Sequence, residues 1–391
     1  MKTALLWDPG VLEYRFRPDH PFNPKRLELT VSLIEAMGLL DGTDHCMVPL
    51  RPATHEELVR VHAPEYVAAV RRLGAAGRDT GEGWRWGLGT DDTPVFPGMH
   101  DVTSLVVGGT IRAAELVMSG EVTRALNLAG GLHHGHRDRA SGFCVYDDLA
   151  AAIAWIREAH GARVMYIDYD AHHGDGVQGI FYGDPDVLTL SIHESGRFLF
   201  PGTGFVDELG EGEGYGYSLN LPLDPSTEDD SWIELHRDLI PAAAEAFRPD
   251  VIVLQNGCDG HTLDPLTHLR ATTRLYEETV RTVCEVADRL CGGRVVATGG
   301  GGYAVWQVVP RAWTLVWAGL SGQEAGNDVP RAWLDRWQGE SPVLLPERLR
   351  DLPGEFPAVP RRAEVEAVNR RTLESLRRQA LPLLSGWGMG F

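Results

Sequence analysis

The stretch 163–176, RVMYIDYDAHHGDG, passes from a short apolar run directly into a cluster of acids and histidines. Residues 163–168 form an uninterrupted apolar segment of strand length, the pattern of a strand covered on both faces. Side chains alternate along a strand, so Asp168 and Asp170 share a face, and His172 follows as the chain leaves it. Burying two carboxylates together without a cation costs on the order of several kcal/mol. No lysine or arginine follows until Arg197. A metal ion resolves the conflict, because Asp-x-His offers a hard oxygen and an imidazole nitrogen. The bland alternative is a solvated acidic turn.

Working outward, similar runs at 187–192, 251–255 and 294–298 also read as buried strands, and MKTALL reads as a first strand rather than a secretory leader. Amphipathic stretches alternate with them. One covers about 147–160, with Asp147 as N-cap and Gly161 beyond its end. Another opens at Asn23-Pro24, and further helices are expected at 101–119, 229–247, 272–290 and 304–318. Alternating strands and helices to about residue 320 imply a single α/β domain on a central, mostly parallel sheet. Residues 321–391 form a C-terminal extension, either wrapped on that domain or mobile.

Ligands of such sheets bind beyond the carboxyl ends of the strands. After RALNLAGG come His133 and His134. A lone histidine there is commonly structural, but an adjacent pair after Gly-Gly is harder to dismiss. After VIVLQ comes Asp259, either a helix cap or a third ligand beside Asp170 and His172. Three protein ligands leave a coordination position open, as catalytic zinc sites do. RVVATGGGGYAVW ends a further strand with four glycines and Tyr303. A phosphate loop would continue with lysine and Ser/Thr, whereas glycines followed by a phenol suit a donor aimed at a substrate oxygen.

The bulk composition narrows the function. No apolar run is long enough to span a bilayer, and five cysteines without a C-x-x-C pair make neither a disulfide framework nor a cysteine zinc site. A cytoplasmic location follows by default. The formal charge of −19 disfavours nucleic acid and anionic membranes and favours a cationic partner; it also serves solubility alone.

Taken together, GGLHHGHRDRASGFCVYDDLAAAI, YIDYDAHHGDGVQGIFY, LSIHESGRFLFPGTG, QNGCDGHTLDPL and GGGGY resemble the histone deacetylase superfamily over about residues 10–320. The opening RPDHPFNPKRL is similar to the bacterial acetoin-utilisation deacetylases, a class I-like branch. The resemblance implies an arginase/deacetylase fold with about eight strands, a catalytic domain over 1–320 and one zinc ion, with Fe2+ an alternative in the cell. It implies Asp170, His172 and Asp259 as metal ligands. His133 and His134 match the active-site histidines, oriented by Asp168 and Asp175, and Tyr303 matches the carbonyl-binding tyrosine. Gly142, Phe143 and Phe200 match the walls of an acyl-lysine tunnel, with Leu266 near its mouth and Asp91 or Asp92 as a rim aspartate. Arg26 matches an arginine on an internal channel. Potassium would be held by Asp168, Asp170, His172, Ser191 and Ile192. The implied substrate is an acetyl-lysine protein or peptide, or an acetylated polyamine. Two departures, His193-Glu194 and the tryptophans of loop 81–100, are expected to narrow substrate choice at the rim.

A two-manganese ureohydrolase would want Asp-Ala-His-x-Asp and a later Asp-x-Asp. Here His173-Gly174 follow His172 and no acid stands two residues from Asp259, so the second metal lacks ligands. A non-catalytic acetyl-lysine binder would have had no need to keep both histidines and Tyr303.

Overall fold

The computed structural model describes residues 2–384; residue 1 and residues 385–391, the end of the C-terminal extension, lie outside the described residues. Eight strands form one sheet: β1 (Thr3–Leu6), β2 (His45–Val48), β3 (Arg124–Asn127), β4 (Val164–Asp168), β5 (Val187–Glu194), β6 (Ser218–Leu223), β7 (Val251–Gln255) and β8 (Val295–Thr298). Their order is β2-β1-β3-β8-β7-β4-β5-β6, and every pairing is parallel. The mostly parallel sheet read from the sequence is thus wholly parallel. Parallel strands need helical crossovers, which cover both faces and explain why the central strands are apolar throughout.

The chain builds outward from β1 to one edge, continues through β3, crosses to β4 and the opposite edge, then returns to insert β7 and β8 in the middle. Strands β3, β8, β7 and β4 are therefore neighbours although far apart in sequence. Their carboxyl ends form one floor, where ligands of such sheets collect.

Local chemistry sets the helix limits. Asp147 caps Asp148–His160 by accepting the Ala150 N–H at 2.7 Å, and Gly161 ends it in the left-handed region. The helix expected from Pro24 starts at Lys25, with Asn23 Oδ1 accepting the Lys25 N–H. The helix expected from 304 starts only at Val309. The N–H groups of Tyr303 and Ala304 are instead taken by the Asp264 carboxylate, and Pro310, which lacks an N–H, sits in the first turn.

The C-terminal residues dock in two places. Trp333, Trp337 and Leu345 bury against Leu29 and Leu33 of the helix Lys25–Ala36, and both indole N–H groups donate to Ser32 Oγ. The helix Arg362–Gln379 covers the edge strand β6, with Leu373 and Leu376 in the main core. Its buried Asn369 accepts the Asp224 N–H and donates to Thr227 and Ser231. Covering an edge in this way removes a template for unwanted strand pairing.

Candidate active site

The loops leaving β4 and β7 bring Asp170, His172 and Asp259 together, all buried, with one donor atom of each within 4.8 Å of the others. His172 Nδ1 lies 3.1 Å from Asp170 Oδ1 and 2.9 Å from Asp259 Oδ2. Burial and the neighbouring Asp170 raise the Asp259 pKa to about 6. Burial also works against ionising Asp170, but His133 and His172 outweigh it and hold that carboxyl well below the usual range. Two carboxylates and an imidazole with no fixed cation among them suit a divalent ion of the zinc type. The glycine run makes room for the cluster: a Cβ on Gly301 would stand 2.1 Å from Asp259 Oδ2, and the Gly301 N–H donates to Asp170 Oδ2 at 2.7 Å. Gln255 Nε2 donates to the same oxygen at 2.8 Å.

Beyond β3 the two histidines stand side by side. His133 Nδ1–H donates to Asp168 Oδ2 at 2.7 Å, and the Tyr166 hydroxyl donates to the same oxygen. His134 Nδ1–H donates to Asp175 Oδ1 at 2.6 Å. Burial disfavours the His133 cation, yet Asp168 and Asp170 outweigh it and raise its pKa to about 9. For His134, burial and the adjacent His133 prevail over Asp175 and lower the pKa to about 4. His134 Nε2 thus keeps a lone pair, while His133 Nε2 carries a proton and lies 3.9 Å from Asp170 Oδ1.

A cavity of about 220 Å3 leads to this floor, lined by Asp92, His134, Gly142, Phe143, His172, Leu199, Phe200, Leu266 and Tyr303. Phe200 meets the His134 ring edge-on at 5.0 Å, and Phe143 meets Tyr303 at 5.7 Å. Gly142 has φ +50°, and a Cβ there would lie 2.4 Å from the His134 ring. Phe143 holds φ +70°, a strained setting for a bulky residue. The Tyr14 hydroxyl braces it by donating to Phe143 O and accepting from Val145 N–H. Burial, then Asp259 and Asp170, push the Tyr303 phenol well above its ordinary pKa, so it remains a proton donor.

The other expected residues fall as follows. Asp91 does not face the cavity; it is 93% exposed and bonds Arg17 at 2.8 Å, while Asp92 lines the cavity. The chain bends at residues 91–93, and of the two carboxylates only that of Asp92 lies along the cavity. Neither tryptophan of the 81–100 loop lines the cavity: Trp84 is exposed, and Trp86 packs on Tyr66. His193 and Glu194 do not narrow it either. Both are buried, His193 contacting Ser191 Oγ and Gly204 O, and Glu194 accepting from the His268 backbone and ring. Ser191 pairs in register with Asp168, and Ile192 follows it in β5. Arg26 is buried behind the glycine run, donating to Gly302 O at 3.0 Å, with its guanidinium over the rings of Phe22 and Trp313.

Sequence reasoning missed Gln255, Tyr166, Asp264 and His136. His136 Nε2 lies 3.3 Å from the second oxygen of Asp175. Its place in the LHHGH string was the only signal available.

Comparison with known proteins identifies the family. A histone deacetylase domain model matches residues 20–320. The chain is 50% identical over 371 residues to the acetoin utilization protein AcuC of Bacillus subtilis strain 168, covering 95% of each chain. It is 41% identical to AcuC of Staphylococcus aureus strain Mu50, again over 95% of each. Among solved structures, a histone deacetylase homologue from Aquifex aeolicus superposes with a TM-score of 0.84 at 31% identity, covering 96% of this chain and all of that one. A homologue complexed with SAHA gives 0.85 at 32% identity with the same coverage. By the family model over residues 20–320, the 50% identity to a relative along nearly its whole length and the shared fold, the chain belongs to the histone deacetylase family, in the AcuC-like branch.

Proposed function

We propose that the protein is a zinc-dependent amidohydrolase that removes acetyl groups from the ε-nitrogen of lysine in proteins or peptides. The observation that carries this reading is the joint placement of two His–Asp pairs, an Asp-His-Asp donor set and a neutral phenol at the floor of one apolar cavity.

Asp170, His172 and Asp259 would hold the ion. Zinc bound there supplies a Lewis acid for the carbonyl and lowers the pKa of water, less than a neutral ligand set would because two ligands are anionic. The chain's own residues do the rest. Phe143, Phe200 and Leu266 accept the methylene stem of lysine once acetylation has masked its charge. The Tyr303 hydroxyl donates to the acetyl oxygen as it becomes an oxyanion. His134 Nε2, unprotonated at neutral pH, takes a proton from the attacking water and returns one to the departing amine. His133, cationic beside it, steadies the developing negative charge. Asp168 and Asp175 keep the imidazoles in the tautomers that present Nε2.

Potassium held by backbone oxygens of Asp168, Asp170 and His172 with Ser191 and Ile192 is supported by the register of β4 on β5. Five free cysteines, four of them buried, fit a reducing compartment, and we place the protein in the cytoplasm. Among the described residues no helix is long and apolar enough to cross a membrane.

Acetate release from an acetyl-lysine peptide and from an acetylpolyamine, measured side by side with the zinc-loaded protein, tests the reading. Peptide turnover that collapses in Tyr303→Phe is expected. Preference for the polyamine would keep the chemistry and replace the substrate, while release from neither would sink both.

A further inference from the structure

Tyr303 lines two cavities. One is the tunnel; the other is an open groove of about 300 Å3 over Pro21, Ala304, Trp306 and Val343. Through His20, Asn23 and Trp306 the groove continues into a larger cavity of about 500 Å3. There the walls carry Lys25 and two arginines together with Glu28 and Glu340. The groove itself contains no Asp, Glu, Lys or Arg, which is notable on a chain of formal charge −19. Its imidazole, His20, has a pKa lowered by burial, and its phenol, Tyr303, has one raised by burial, so both rings are neutral at pH 7.

The outer lip comes from the C-terminal segment. Val343 is 38% and Leu344 81% exposed. Their exposure does not reflect a loose loop. Gln338 Nε2 and Ser341 Oγ both donate to Val343 O, the Leu345 N–H donates to Gln338 Oε1, and Leu345 is anchored beside Trp333 and Trp337. An exposed apolar lip held in place beside a catalytic opening is the character of a recognition surface.

We propose that this groove receives the polypeptide flanking the acetyl-lysine, seating an uncharged apolar or aromatic side chain against Trp306 and Val343. The proposal rests on the acetyl-lysine reading above and narrows it to a macromolecular substrate. An acetylated polyamine would fill the tunnel and leave the groove in water. The mixed-sign cavity beyond accepts side chains of either charge, so discrimination falls on the residue next to the acetyl-lysine.

The test uses the full-length, zinc-loaded enzyme. Substrates are peptides carrying Trp, Ala, Asp or Lys on each side of acetyl-lysine, acetyl-lysine amide and an acetylpolyamine. The expected result is a kcat/KM at least about tenfold higher with Trp than with Asp on one side. Val343→Asp should abolish that ratio, and Leu344→Ser should reduce it. An unchanged melting temperature would show that both variants fold. Equal kcat/KM across the peptides, or a Trp-to-Asp ratio that survives Val343→Asp, would overturn the proposal. So would faster turnover of the polyamine than of every peptide. Failure of wild type on every acetyl-lysine compound would instead overturn the underlying reading, and the proposal with it.

Discussion

His133 and His134 are consecutive residues with ring centroids 4.1 Å apart, yet the fold holds them at opposite ends of the imidazole range. His133 faces two carboxylates and rises to about 9, whereas His134, buried beside that cation, falls to about 4. A divalent ion on the neighbouring ligands would lower both values and preserve their order. In the proposed mechanism the two rings divide the work, His134 as base and His133 as fixed positive charge.

The pH–rate profile follows from this. On the acid side, kcat/KM should fall as His134 gains a proton; on the alkaline side it should fall as His133 loses one. Asp175→Asn removes the anion that orients His134, and kcat is expected to drop by roughly 100-fold even at the plateau. A full-rate variant with the wild-type profile would remove His134 as the base.

Tyr303→Phe deletes one donor to the developing oxyanion and leaves the ring in place against Phe143. Turnover should decrease by about 10²–10³ while zinc content, read by elemental analysis, stays the same.

Asp259 contributes instability to the metal-free protein. Its folded pKa of about 6 lies above the ordinary carboxylate value, so stability is lost as pH rises through that interval. Asp259→Asn should therefore make the metal-free protein more stable at pH 7, by about 1–2 kcal/mol in urea unfolding. The same variant should lose the rise in melting temperature that zinc gives wild type. A less stable metal-free variant would show that the carboxylate serves the fold more than the ion.

Acid should destabilise the fold through buried histidines that do not line the cavity. His62 Nε2 accepts the Asp147 N–H, so Nδ1 carries the proton and donates to His136 O. Burial lowers its pKa to about 4, and that of His236 to about 3. Between about pH 6.5 and 4 the unfolded chain binds these protons and the folded one does not, so stability falls as pH falls. Urea midpoints at pH 7.5 and 5 measure the loss, and His62→Gln should flatten the dependence.

Much of this site was legible because each ligand stands just past a short apolar strand. The 163–176 and 251–259 stretches announce both the strand and the polar residues that leave it. The edge strands β2 and β6 gave no such signal: Met47 in β2 is exposed, and β6 contains Asn220 and Pro222. Asp91 and Asp92 were equivalent in sequence because only the loop's course decides which faces the cavity. Gln255 and Asp264 act through contacts with Asp170 and with the backbone at Tyr303, which no local pattern records. The tryptophans of loop 81–100 misled because large apolar residues near a rim pack on the protein as readily as on a substrate.

The proposed activity requires one divalent ion on Asp170, His172 and Asp259. This requirement is tested most directly by titrating zinc into chelator-treated protein while following acetate release from an acetyl-lysine peptide. Activity rising to a plateau at one zinc per chain is the expected result, absent in Asp170→Asn. Activity in the metal-free protein, or a requirement for two ions per chain, would contradict it.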